Sequence, residues 1–103
     1  MADQAEWIET ASGAAGVATA TKAAATGKSF IVDGVDASYA GAAEIGLLEI
    51  RDGTTVIWSG HVHQSREIPF PKGLAITKGA LASATLAAGA GVSKVNLHGR
   101  TRG

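Results

Sequence analysis

The 103-residue sequence predicts an all-β domain, a single jelly-roll β-sandwich of about eight short antiparallel strands. Apolar and polar residues alternate with a period of two along several segments, and helical spacing is weak throughout. Turn signals recur roughly every 8–12 residues, the spacing expected of a sandwich or barrel. Among eight-strand architectures the jelly roll is the natural candidate.

A short strand near Trp7 to Thr10 opens the chain, with about one helical turn over residues 3–8 as the alternative. Residues 1–12 therefore read as an N-terminal arm or short first strand, and residues 13–103 as the jelly-roll domain. Over residues 16–22, Val17, Thr19 and Thr21 face away from Ala18 and Ala20, and the β-branched side chains favour a strand over the helix that alanine alone would suggest. Thr26-Gly27-Lys28 reads as a turn. A strand over residues 29–35 follows, with Phe30, Ile31 and Val32 at its centre and Gly34 as a bulge.

The clearest unit covers residues 46–63. Leu48 and Ile50 alternate with Glu49 and Arg51, the chain reverses at Asp52-Gly53, and Val56, Trp58 and Val62 alternate with Ile57, Ser59, His61 and His63. This predicts a β-hairpin, because a turn that matches strand twist needs positive φ, which Gly and Asp tolerate. The phase assigns Trp58 to the core. Pro69 and Pro71 cannot donate ladder hydrogen bonds, so their segment belongs at an edge or in a loop. Residues 80–86 alternate again, and Gly89-Ala90-Gly91 reads as a connection. Residues 94–98 close the fold, with Val95 and Leu97 pointing one way and Asn96 and His98 the other.

Composition bounds what such a domain does. The hydrophobic 46% is mostly alanine, and Trp7, Phe30, Tyr39, Trp58 and Phe70 are the only aromatics. A core of small side chains gains from burying more surface between subunits, which points to a homo-oligomer. Nine acidic and nine basic residues balance with no block of like charge, so the electrostatic footprint of a nucleic-acid partner is missing. No cysteine is present for a disulfide or thiolate metal site. The polar, acidic first residues are unlike a secretory leader, and apolar stretches break well before the roughly 20 residues of a membrane span. A soluble protein made in the cytoplasm, without a membrane partner, is the expectation.

No constellation specifies catalysis, a cofactor or a small-molecule substrate. Ala25-Thr26-Gly27-Lys28-Ser29 looks like the end of a phosphate loop, but Lys22 stands where the motif needs glycine and a β-rich run follows where it needs a helix. Asp33, Asp36, Glu44, Glu49 and Asp52 fit solvated strand ends and turns better than an acid–base pair. His61 and His63 lie two apart on a strand and share a face, and His98 offers a third imidazole, so zinc is conceivable. With no cysteine and no poised carboxylate, a subunit contact on the polar face is the preferred reading, and no metal is assigned. Trp7 and Ile8 are the remaining contact candidates: either they anchor an arm on a partner surface, or Trp7 packs on its own core.

The segment Gly46-Leu47-Leu48-Glu49-Ile50-Arg51-Asp52-Gly53-Thr54-Thr55-Val56-Ile57-Trp58, the Pro69-Phe70-Pro71 stretch and the closing Val95-Asn96-Leu97-His98-Gly99 carry a resemblance. Over residues 29–99 the pattern of strands and turns resembles the capsid decoration (cement) and head-fibre proteins of tailed bacteriophages, which have a jelly-roll, tumour-necrosis-factor-like fold. The resemblance implies a non-enzymatic structural protein of the virion. It further implies a homotrimer on the outer capsid surface that binds the major capsid protein and stabilises the shell. A receptor-binding jelly-roll head of a phage fibre or spike is the second reading, and a small lectin-like or enzymatic β-sandwich the third.

Overall fold

The computed structural model describes residues 5–14, 17–40, 45–87 and 92–102. Eight strands follow in chain order: β1 (Ala5–Ala14), β2 (Ala18–Lys22), β3 (Ser29–Tyr39), β4 (Ile45–Asp52), β5 (Thr55–His63), β6 (Ser65–Ala75), β7 (Ala82–Leu86) and β8 (Val92–Arg102). They form two four-stranded sheets, β1-β8-β3-β6 and β2-β7-β4-β5, with every pairing antiparallel. Only β4 and β5 form a hairpin within one sheet. Every other consecutive pair crosses from one sheet to the other, and that interleaving of two Greek keys is a jelly roll.

The period-two pattern fixes which faces meet. Ala18 and Ala20 on β2, Leu48 and Ile50 on β4, and Ala82, Ala84 and Leu86 on β7 turn inward and are buried. From the opposing sheet come Phe30, Val32, Val35, Ala37 and Tyr39 of β3, with Val95 and Leu97 of β8. Small residues on one side oppose larger ones on the other, so the two layers fill the space between them without long side chains.

The turn chemistry follows the sequence closely. Asp52 pairs with Thr55 and Gly53 has φ 63°, the positive value that the first central position of a type II′ hairpin turn requires. The register of β3 shifts between Val32 and Gly34 against both neighbours, so the bulge expected at Gly34 is present and leaves Asp33 unpaired. Pro69 and Pro71 lie on β6, an edge strand, Pro69 opposite Gly34 and Pro71 in the 70–73 stretch where the β3–β6 register breaks. At the β5–β6 corner Gln64 adopts φ 69°. Its carbonyl accepts from the Tyr39 amide and its Nε2 donates to the Tyr39 carbonyl, both at 2.8 Å.

The strand expected near Trp7 is present but longer, ten residues paired with β8 from Ala5↔Thr101 to Ala14↔Val92, and the alternative helical turn is not formed. Two expectations change. A register shift opposite Ile50 and Arg51 breaks the phase of β5, so Val56, expected to face inward, is exposed, whereas Ile57 is exposed and Trp58 turns toward the core as their phase predicts, meeting Phe70 edge-on at 5.7 Å. Finally, Asp33, Asp36 and Glu49 lie within strands and not at ends or turns, while Glu44 and the 89–91 connection fall outside the described residues.

Candidate functional site

Strands alternate their side chains, so each sheet also has an outer face, and these faces carry the polar chemistry. On the outer face of β1-β8-β3-β6, cross-strand register aligns Thr10 with Asn96 and Asn96 with Asp36. Thr10 Oγ1 donates to Asn96 Oδ1 at 2.8 Å, and Asn96 Nδ2 donates to Asp36 Oδ1 at 2.6 Å. His98 Nε2 lies 2.9 Å from Asp36 Oδ2 and donates to it in the tautomer that carries the proton there. One bulge away, Arg100 donates to Asp33.

Asp33 and Asp36 thus each face a basic side chain on β8, a pairing set by the bulge and invisible in the local sequence. Beside them lies a groove of about 240 Å³, lined by Asp33, Gly34, Asp36, Glu67, Pro69 and His98. Ile8 stands on the same face, paired with His98 in register and 62% exposed.

Trp7 and Ile8 therefore have opposite fates. Trp7 turns inward, meets Phe30 edge-on with centroids 5.7 Å apart, and packs against the core, whereas Ile8 faces solvent. His61 and His63 are both exposed on β5, the edge of the other sheet, in register with Leu47 and Ile45. His98 belongs to the opposite sheet, so it does not join them. Among the described residues no group of three or more His, Asp or Glu side chains gathers as a metal-binding set. The stretch that looked like a phosphate loop is a turn with Gly27 at φ 75°, and it leads directly into strand β3.

The two ends of the sandwich differ in charge. One end gathers the described strand ends at Val17, Ala40, Gln64, Ala87 and Val92. None of these five residues is ionisable. Val17 and Val92 stand at this end, 56% and 44% exposed. The opposite end carries Lys22, Lys28, Asp52, Lys78 and Arg102 on or beside its turns. There Asp52 accepts from the Thr77 amide and, at 2.7 Å, from its hydroxyl, tying the hairpin to the β6–β7 connection. Sequence reading missed the apolar end because its members are far apart in the chain and meet only through the jelly-roll topology.

No protein-family model matches the chain, and no curated protein matches it. Solved structures similar to it include two different proteins. One is the cryo-electron microscopy structure of the extra small virus (XSV) VLP of the giant freshwater prawn Macrobrachium rosenbergii, at 15% identity and TM-score 0.47, covering 100% of this chain and 82% of that one. The other is the insecticidal delta-endotoxin Cry8Ea1 of Bacillus thuringiensis, at 11% identity and TM-score 0.47, covering 87% of this chain and 18% of the toxin.

Proposed function

We propose that the chain is a structural protein of a virus particle, a decoration protein that seats as a homotrimer on the outer surface of a phage head and stabilises it without catalysing a reaction. The observation that carries this reading is the end where Val17 and Val92 are exposed beside Ala40 and Ala87, set on a rigid sandwich whose other end carries Lys22, Lys28, Asp52, Lys78 and Arg102. Strands of 11 residues are about 36 Å long at strand rise, so they run along the 45 Å axis of the 45 × 23 × 18 Å block. The apolar end is then a small foot, and the charged end faces water.

The size of the foot argues for several copies. Its cross-section, the product of the two short axes, is roughly 400 Å², about half of the ~800 Å² that each partner contributes to a standard stable interface. One chain would hold weakly. Three joined chains turn the later contacts into intramolecular ones and raise attachment by about 10²–10⁴ without any new contact. The resemblance of residues 29–99 to decoration proteins supports the same reading, and the head of a phage fibre is the alternative within the same fold.

The test is cosedimentation with purified phage shells assembled from a major capsid protein. Val17→Asp with Val92→Asp places two charges in the proposed contact and weakens binding about a hundredfold or more, while Lys78→Asp at the far end leaves it unchanged. Shell binding by the double variant equal to that of the wild type refutes the foot.

A further inference from the structure

We infer that His61 and His63 form a chelating site for a divalent transition-metal ion of the zinc class, completed by the same pair from a second copy of the chain. Both imidazoles are exposed on β5, two residues apart, and therefore on one face of the strand. Their Cα atoms are about 6.6 Å apart at strand rise. A tetrahedral ion with Zn–N bonds of about 2.05 Å needs its two nitrogens roughly 3.3 Å apart, so each ring has only to lean about 1.6 Å toward the other. Ordinary rotamer choice covers that distance.

The surroundings leave the pair available for metal. None of the side-chain hydrogen bonds found among the described residues engages either ring. Arg66 reaches the backbone carbonyl of His61 at 3.0 Å, but its guanidinium lies toward the Trp58 ring, 6.0 Å from its centroid, on the inward side of the strand. In register opposite His61 is Leu47, 38% exposed, which supplies an apolar flank that lowers the local dielectric.

Among the described residues no third ligand gathers with the pair. Glu49, on that face, is held 2.8 Å from Arg51, and His98 is engaged with Asp36 on the other sheet. Two imidazoles satisfy half of a tetrahedral ion. β5 is an edge strand, so a second copy can approach it and contribute its own two imidazoles. The site thus needs no cysteine, in keeping with a chain that has none.

The experiment titrates the purified full chain with ZnCl₂ by calorimetry and with CoCl₂ by visible absorption, while sedimentation velocity reports mass. The expected result is one metal per two chains, the intense visible bands of tetrahedral cobalt, and a rise in mass that chelator reverses. His61→Ala and His63→Ala each weaken binding roughly tenfold or more and abolish the metal-driven rise in mass, with circular dichroism unchanged because both positions are exposed. His98→Ala retains full binding. Absence of binding by the wild type, one metal per chain with no gain in mass, or His61→Ala and His63→Ala variants that bind as the wild type each overturn the proposal. No shell is present in this assay, so its outcome is independent of whether the protein decorates a head.

Discussion

Adding a single methyl group at Gly99 should destabilise this domain about as much as truncating a leucine of its core. Gly99 lies on β8 between Trp7 of β1 and Val32 of β3, and the Trp7 ring lies directly over it. A Cβ built at this position falls 2.6 Å from Trp7 Cη2 and 2.7 Å from the Ile31 carbonyl oxygen. The carbonyl belongs to the backbone of a central strand and cannot swing aside. Relief by Trp7 alone is therefore incomplete, and moving the ring also forfeits its edge-on contact with Phe30.

Overpacking typically costs about 1–3 kcal/mol and loss of the aromatic pair about 0.5–1.5 kcal/mol, so Gly99→Ala should cost roughly 2–4 kcal/mol. That is a large share of the ~5–15 kcal/mol that stabilises a typical domain. Urea denaturation followed by tryptophan emission measures the loss. The double variant Trp7→Ala with Gly99→Ala should recover part of it, because the ring is gone while the clash with the Ile31 carbonyl stays. A Gly99→Ala variant within about 0.5 kcal/mol of wild type would show that Trp7 does not cover Gly99 and that the β1–β8 packing is wrong.

Other perturbations separate the core from the faces. Leu86→Ala and Leu97→Ala each empty a fully buried position and should cost about 2–5 kcal/mol in the same assay. Asp52→Ala removes the acceptor for both the amide and the hydroxyl of Thr77 and should cost about 1–2 kcal/mol, with faster amide exchange confined to the 52–55 turn and the 76–81 connection. Asp36→Ala leaves Asn96 and His98 without their shared acceptor, yet the face is partly solvated, so the cost should stay near about 1 kcal/mol, measured by urea midpoint.

Where backbone chemistry is local, the sequence announces it. Asp52-Gly53, Gly34 and the two prolines carry their constraints in their own covalent structure, and the turn, bulge and edge they imply all appear. Alternation likewise identifies the inward faces of β2, β7 and β8, because a half-buried strand needs only its own residues to display it. The failures share another cause. The phase of β5 breaks at a bulge against β4, so Val56 cannot be assigned from its own alternation. Asp33 and Asp36 looked like solvated strand-end and turn acids because Arg100 and His98, which face them, lie more than 60 residues away. Long-range register also explains the apolar end, where Val17, Ala40, Ala87 and Val92 lie far apart in the chain and meet only through the two Greek keys.

Hydrogen exchange of the protein, free and bound to shells, shows whether the end bearing Val17 and Val92 is the foot. Added protection is expected at residues 17, 40, 64, 87 and 92, with the turns at residues 27, 53 and 79 exchanging as they do in the free protein. Protection concentrated at the charged turns, or an exchange pattern unchanged by shells, would contradict that placement of the foot.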